Sequence, residues 1–211
     1  MKTILRVGLL ALCIAFGSTQ AEVIRSFDAT TGKLTSATNV NINGVLYSVE
    51  FLDGTCVSVF TGCDSAADDF VFTTEATAAD ASLALFQQVI LDTPGHLIDS
   101  HPELTRGCFN AARCDFFTPW LLFDASPGDP FWFASGYINL SAQLFDQDRI
   151  ENFSDSILED TSILDQGVWA RWSLAEITDP GPGTVPEPGT LAILGAGLFA
   201  LTLVLRRRQP G

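Results

Sequence analysis

Two histidines and two acids lie close together in the segment PGHLIDSHPE, where they offer nitrogen and oxygen ligands to a metal ion. A metal site would need neutral imidazoles and a carboxylate to converge on one cation. The spacing of five residues, Pro102 and the loop-forming surroundings match no ordered motif such as H-E-x-x-H. We therefore predict a solvated loop and expect no metal and no cofactor at these four residues: His96, Asp99, His101 and Glu103.

Two short acidic clusters offer hard oxygen ligands to calcium. Neither contains the D-x-[DN]-x-[DN]-G pattern of an EF-hand loop. The chain has 25 Asp and Glu residues among 211, so clusters of this size arise from composition alone. We predict no calcium site at either cluster, which consist of Asp64, Asp68 and Asp69 and of Asp146 and Asp148.

Sequence motifs for catalysis are missing. There is no G-x-S-x-G elbow, no P-loop and no G-x-G-x-x-G fingerprint. A pair of carboxylates for glycoside hydrolysis cannot be recognised in so acidic a chain. We therefore predict no catalytic residue. A competing hypothesis is a sugar-stacking platform, although such aromatic residues more often form the core of a small sheet; the residues concerned are Trp120, Trp132, Trp169 and Trp172.

Four cysteines, Cys56, Cys63, Cys108 and Cys114, follow the N-terminal segment. In an exported chain an even number of cysteines indicates two disulfides. The short spacings favour pairing within 56/63 and within 108/114, although three connectivities are open. Zinc is the alternative, but neither spacing is the C-x2-4-C of common zinc modules.

The elements that would position these residues begin with a β-hairpin. In VNINGVLYSVEFL, alternating apolar residues flank Asn43-Gly44, the strongest two-residue hairpin signal. A second turn at Asp53-Gly54 predicts that CVSVF forms the next strand, with the first cysteine pair at its end.

One helix is predicted over residues 74–91. Its apolar residues recur at helical spacings, Thr73 or Thr74 can cap it, and Glu75 lies in the first turn. The breaker sequence DTPG ends it. Residues 94–118 are predicted to be irregular.

Three further segments are rich in aromatic and β-favouring residues and predict antiparallel strands: 120–123, 131–140 and 168–174. We thus predict an α+β domain with a mainly antiparallel sheet and one principal helix. In the last strand, the alternation predicts two faces. One carries Val168, Ala170, Trp172 and Leu174, and the other carries Trp169, Arg171 and Ser173.

The domain between the two ends is strongly acidic. Of the 11 basic residues, Lys2, Arg6 and the three of 206–208 lie at the ends, whereas only Glu187 of the 25 acids does. The remaining 6 basic and 24 acidic residues give a net charge of -18. Such a field repels phosphate backbones, so we expect no nucleic-acid partner.

The N-terminus has the layout of a secretory signal peptide. Lys2 and Arg6 precede an apolar stretch, and small and polar residues end at Ala21. We predict a signal peptide over 1–21, cleavage after Ala21, export by the Sec machinery and an extracytoplasmic domain over 22–179.

The C-terminus combines a Pro/Gly linker over 180–184, the sequence Pro186-Glu187-Pro188, an uncharged stretch of sixteen residues over 190–205 and three arginines. As a helix this stretch spans ~24 Å, somewhat less than the ~30 Å of bilayer hydrocarbon. It predicts a single transmembrane helix of minimal length. The basic cluster of Arg206, Arg207 and Arg208 favours the cytoplasmic side, so the domain would lie on the outer side of the membrane.

Residues 185–208, with their order of motif, short apolar helix and basic cluster, resemble the PEP-CTERM sorting signal of Gram-negative bacteria. The resemblance implies export, a hold in the inner membrane through 190–205, processing by an exosortase near Pro186-Glu187-Pro188 and delivery to the cell surface or outside it. It further implies association with exopolysaccharide and biofilm matrix. The domain itself looks like a recurring PEP-CTERM ectodomain, a resemblance that supplies no activity.

Two hypotheses follow for function. The first is a non-catalytic structural or interaction protein of the cell surface, sorted by its C-terminal signal. The second is a secreted carbohydrate-binding module or glycan hydrolase.

Overall fold

The computed structural model describes residues 21–124, 130–141 and 149–175. Seven strands form one sheet in the order β1-β2-β3-β7-β4-β5-β6, and every neighbouring pair is antiparallel except β4 and β7. The predicted α+β class, a mainly antiparallel sheet with one main helix, is confirmed. The strands are β1 (Ile24–Phe27), β2 (Leu34–Ile42), β3 (Val45–Leu52), β4 (Arg113–Asp124), β5 (Pro130–Leu140), β6 (Arg149–Ser156) and β7 (Gly167–Leu174).

The helical elements lie between β3 and β4 and before β7. They are α1 (Cys56–Val59), α2 (Ala66–Asp69), α3 (Glu75–Ala84), a π-helical turn (Leu85–Val89) and two 3-10 turns (Pro102–Leu104 and Thr161–Ile163).

The predicted hairpin at Asn43-Gly44 is confirmed. Both residues have positive φ, 52° and 88°, and Ile42 pairs with Val45 across the turn. A two-residue turn with this backbone matches the right-handed twist of the strands it joins. The Asn41 side chain accepts a hydrogen bond from the Gly44 amide at 2.8 Å and so closes the turn.

Both faces of the sheet carry apolar clusters, so neighbouring residues of one strand enter different cores. In β4, Phe116 belongs to the cluster that includes α3, whereas Phe117 belongs to the cluster that includes α1. In β7, Val168 and Trp169 divide in the same way and both are fully buried. The predicted alternation in β7 is therefore correct in period, but its second face is not a solvent face at Trp169.

The CVSVF segment is not a strand, so that prediction is wrong. It forms the one-turn helix α1, which Thr55 caps by accepting a hydrogen bond from the Ser58 amide at 3.2 Å. Strand β3 pairs with β2 on one side and with β7 on the other, so neither edge is open to a further strand. The apolar residues of this segment are instead buried at helical spacing. Those buried residues are Cys56, Val59 and Phe60.

Helix α3 confirms the predicted principal helix and its cap, since the Thr74 hydroxyl accepts from the Thr77 amide at 3.3 Å. The helix presents small residues to the sheet, and the Ser82 hydroxyl donates to the Ser135 carbonyl at 3.1 Å. The regular helix ends ten residues in, where a π-helical turn continues to Val89.

Three parts of the sheet differ from the prediction. Strand β4 begins at Arg113, so 113–118 is not irregular, and β1 and β6 are strands that the sequence did not indicate. Both additional strands lie at the edges of the sheet. Edge strands are short or polar and therefore give weak periodicity, as β6 does with its mostly exposed residues.

Candidate functional site

The histidines of PGHLIDSHPE point to different partners. The His96 ring stacks on Phe27 with centroids 3.8 Å apart, whereas His101 Nδ1 lies 3.1 Å from Glu103 Oε1. The loop is organised by Asp92, whose carboxylate accepts from the amides of Asp99 and Ser100 at 2.9 and 3.1 Å. Over residues 21–124, 130–141 and 149–175, no group of three or more His, Cys, Asp or Glu residues could hold a metal ion.

The first acidic cluster has a local structural role. One Asp69 oxygen accepts from the amides of Asp64 and Ser65 at 3.0 and 3.1 Å, and Asp68 accepts from the Ser65 hydroxyl at 2.7 Å. These bonds satisfy amides at the start of α2, as side-chain caps do. Asp146 and Asp148 lie outside the described residues.

The four tryptophans do not form an exposed platform. Trp132, Trp169 and Trp172 are buried, and Trp120 is partly buried against the α3 core. Trp169 lies 4.8 Å from Trp132 between ring centroids, and its Nε1 donates to the Gly54 carbonyl at 2.8 Å. The hypothesis that these four residues stack on sugar is therefore wrong.

Both predicted disulfides are present, Cys56–Cys63 and Cys108–Cys114, each with a Cα–Cα distance of 5.7 Å. The first joins α1 to the turn that follows it. The second fixes the loop before β4 to the start of that strand, and all four cysteines are buried.

The second disulfide borders a cavity that the sequence did not suggest. It has a volume of about 430 Å³, and we call it the Arg106 cavity. Three pieces of backbone build it: the β1–β2 turn, the end of β3 and the loop before β4. Its lining residues are Asp28, Thr31, Lys33, Thr35, Asp53, Arg106, Gly107 and Phe109.

Hydrogen bonds fix the backbone at Arg106 and the side chain of Lys33 in the Arg106 cavity. The Arg106 amide donates to the Leu34 carbonyl at 2.9 Å, which ties the loop to the start of β2. Lys33 Nζ donates to the Cys108 carbonyl at 2.8 Å and lies 4.7 Å from the centroid of the Phe109 ring. Phe109 itself is 61% exposed.

Asp53 is a half-buried carboxylate with an unsatisfied oxygen. Its Oδ1 is buried and receives no hydrogen bond from the described residues. Burial raises the pKa of Asp53, Arg106 and Lys33 oppose that rise, and Asp160 adds to it. Asp53 therefore costs folding energy at neutral pH.

The side chain of Arg106 is also without a partner. Within the described parts of the chain it makes no hydrogen bond and no ion pair, although it acts electrostatically on Asp28 and Asp53. The other five basic side chains of the domain are satisfied. Their partners are the Val89 carbonyl for Arg25, the Cys108 carbonyl for Lys33, Asp115 for Arg113, Glu151 for Arg149 and Glu50 for Arg171.

The pair of Arg113 and Asp115 lies beside a different cavity and is structural in character. Both guanidinium bonds to the carboxylate are short, 2.6 and 2.7 Å. The hydrogen bonds that Arg113 donates to Asp115 raise the pKa of Arg113, whereas burial raises the pKa of Asp115 against the opposing attraction of Arg113. The free-energy cost of removing the Asp115 carboxylate from water therefore exceeds the stabilisation that Arg113 gives to its charge.

Sequence reasoning missed the Arg106 cavity because its residues come from three distant segments. Lys33, Asp53 and Arg106 share no local motif. The available signal was the scarcity of basic residues, since a domain with only six of them places two at one cavity.

The processing segments lie outside the described residues. These are residues 1–20 of the predicted signal peptide, the linker 180–184, the sorting motif, the apolar stretch 190–205 and the basic cluster 206–208; the cleavage after Ala21 stays a prediction. Among the residues that are described, no helix has the length and apolar character needed to cross a membrane.

Comparison with known proteins identifies the C-terminal segment. The family described as the PEP-CTERM protein-sorting motif matches residues 184–208, so the chain carries this motif. No curated protein and no solved structure matches the chain.

Proposed function

We propose that the folded domain is a non-catalytic surface domain that associates with exopolysaccharide once the chain has been sorted. The observation that carries the proposal is the PEP-CTERM motif at 184–208, which marks an exosortase-processed protein of the cell envelope or surface. The sorting system would deliver the folded domain to the cell surface, and the side chains of the domain would determine what it binds there.

The chemistry of the domain supports an extracytoplasmic destination. Its two disulfides, Cys56–Cys63 and Cys108–Cys114, form and persist in oxidising compartments. Its high negative charge keeps an exported domain soluble and away from nucleic acid and anionic lipid. Export through the Sec machinery with cleavage after Ala21 is part of the proposal.

The proposal includes a transient hold in the inner membrane through 190–205. An apolar stretch of sixteen residues is short for a permanent anchor, and the basic cluster after it keeps the end in the cytoplasm. The Pro/Gly composition of the linker disfavours helix and strand, and we expect it to leave Pro186-Glu187-Pro188 accessible to the exosortase.

The sorting part is tested by replacing Pro186, Glu187 and Pro188 with alanine in the producing strain. We expect the chain to stay at its unprocessed mass in the membrane fraction and to be lost from the surface. A matched control replaces Pro180 and Pro182 of the linker, which leaves the motif intact. Unchanged processing of the motif variant would show that the motif does not direct sorting.

The association with polysaccharide is tested with the full chain and the strain's own exopolysaccharide. We expect retention on the polysaccharide without release of shorter sugars. Turnover would instead support the second hypothesis, a glycan hydrolase. Absence of retention would leave a surface protein whose partner is not polysaccharide.

A further inference from the structure

The Arg106 cavity combines an unpaired donor with an unpaired acceptor. Arg106 is exposed, so its five N–H donors, none of which bonds to the described residues, are open to solvent or to a ligand. Asp53 lines the same cavity. Its Oδ1 is closed to solvent, so a ligand can reach only Oδ2, which also receives no hydrogen bond from the described residues. The two groups interact electrostatically, yet no ion pair joins them within 4.0 Å. A ligand that both accepts and donates would satisfy both.

A sugar ring has this property. Its neighbouring hydroxyl groups each accept and donate, so one can accept from a guanidinium while the next donates to a carboxylate. Thr31 and Thr35 also line the cavity, and their hydroxyls already donate to Asp28 Oδ1 at 2.9 Å and to the Ser26 carbonyl at 3.1 Å, which leaves their oxygen lone pairs as possible acceptors. A cavity of about 430 Å³ lies within the usual range for small-ligand sites.

Phe109 supplies an apolar surface at the rim of the cavity. Phe109 is 61% exposed, so most of its ring surface is free to cover the C–H face of a sugar. Lys33 Nζ lies over the ring, 4.7 Å from its centroid, and so covers one of the two ring faces. A sugar would therefore pack against the other face of Phe109.

Charge selects a neutral sugar over an acidic one. The cavity holds two cations, Lys33 and Arg106, against two carboxylates, Asp28 and Asp53, so it offers no net positive charge. The domain around the cavity carries a net charge of -18, from 6 basic and 24 acidic residues. A uronate would therefore approach against a repulsive field, whereas a neutral pyranose would not.

We infer that the Arg106 cavity binds a neutral pyranose unit of a glycan, with Arg106 and Asp53 on its hydroxyl groups and Phe109 against its ring. This deepens the proposed association with exopolysaccharide and rests on it for its biological setting. The four tryptophans of the original sugar-binding hypothesis take no part.

The test uses the full chain, purified with its disulfides formed, and four probes: the methyl glycosides of glucose, galactose and mannose, and glucuronate. Binding is measured by saturation-transfer NMR and titration. We expect at least one neutral glycoside to bind in the millimolar range, as single sugar units do, and more tightly than glucuronate. Arg106→Ala should weaken that binding about tenfold or more, because it removes hydrogen bonds to a charged group.

Two further variants separate the site from the fold. Phe109→Ala should also weaken sugar binding, and its exposed ring can be removed without unfolding the domain. Arg171→Ala is the matched control, since Arg171 is a surface arginine paired with Glu50 elsewhere on the sheet. Thermal unfolding of Arg106→Ala should stay close to that of the parent chain, because its side chain makes no hydrogen bond or ion pair with the described residues and only its attraction to Asp28 and Asp53 is lost.

Three results would overturn the inference: no neutral glycoside binds, glucuronate binds more tightly than all of them, or Arg106→Ala binds as well as the parent chain. These outcomes are distinct from failure of the proposed function. Retention on exopolysaccharide without any effect of Arg106→Ala refutes the cavity alone. Loss of sugar binding in Arg106→Ala, in a chain that exopolysaccharide does not retain, refutes the proposed association and leaves the cavity standing.

Discussion

Replacement of Gly107 with alanine tests how closely the loop before β4 packs against the sheet. Gly107 has φ +87°, and a β-carbon there would lie 2.5 Å from Asp53 Oδ1 and 2.8 Å from Val168 Cγ2. Val168 is fully buried in β7 and has no free space to move into. Gly44 is a matched control, because it has nearly the same φ, +88°, with no atom within 4 Å of a β-carbon.

The two substitutions share the cost of the backbone conformation and differ in the contact. A left-handed conformation costs a non-glycine residue about 1–2 kcal/mol, which is the expected loss for Gly44→Ala. Overpacking adds about 1–3 kcal/mol, so Gly107→Ala should lose about 2–5 kcal/mol in total. In a chain of this size each kcal/mol lowers the melting temperature by about 2–4 °C. We therefore expect Gly107→Ala to melt about 2–12 °C below Gly44→Ala.

The assay is thermal unfolding of the full chain, followed by near-UV circular dichroism, which reports the packing of the buried tryptophans. Equal melting temperatures for Gly107→Ala and Gly44→Ala would refute the reasoning, because the contact with Val168 would then cost nothing. A lower melting temperature for Gly44→Ala would refute it more strongly, since the turn strain is common to both.

Three other predictions concern the same domain. Replacing Cys108 and Cys114 together with alanine should lower the free energy of unfolding by about 2 kcal/mol through the short loop they close, and a reductant should then have less effect on the variant than on the parent chain. Asp53→Asn should raise stability at neutral pH, because burial holds the pKa of Asp53 above its ordinary value of 3.8 in the folded state. That gain should shrink as the pH falls through the raised folded-state pKa toward 3.8 and vanish below 3.8, so a gain that is constant with pH in denaturant titrations would contradict it. Trp169→Phe should destabilise the domain by about 0.5–1.5 kcal/mol in denaturant titrations, since it removes the indole hydrogen bond to the Gly54 carbonyl, which keeps the Thr161 amide and hydroxyl as donors, and an unchanged midpoint would show that the indole bond is not needed.

Features of the chain that depend on a few adjacent residues were predictable from the sequence. The hairpin at Asn43-Gly44 follows from the positive φ that only such pairs tolerate easily, and the start of α3 follows from the Thr74 cap. The favoured disulfide pairs follow from short spacing, and the sorting motif is contiguous. Each of these signals is local, so no knowledge of the rest of the fold was needed.

The errors and omissions arise where distant segments meet. CVSVF has a strand-like composition, but it forms α1 because β7 already pairs with the edge of β3 that does not face β2. The alternation in β7 places Trp169 on the second face of the strand together with Arg171 and Ser173, yet Trp169 is buried because α1 and the first disulfide cover it. No pattern within one strand reports what covers its second face.

The sequence by itself therefore determined that the chain carries a sorting motif for the cell envelope and the order of its strongest elements, and it favoured the two cysteine pairs without excluding the others. Only the tertiary structure decided which cysteines pair, that Trp132, Trp169 and Trp172 are core residues and that Lys33, Asp53 and Arg106 share one cavity. The physical reason is distance along the chain. Sorting signals, turns and caps are encoded within a few residues, whereas this cavity is lined by three separate segments between residues 28 and 109 that the sheet brings together.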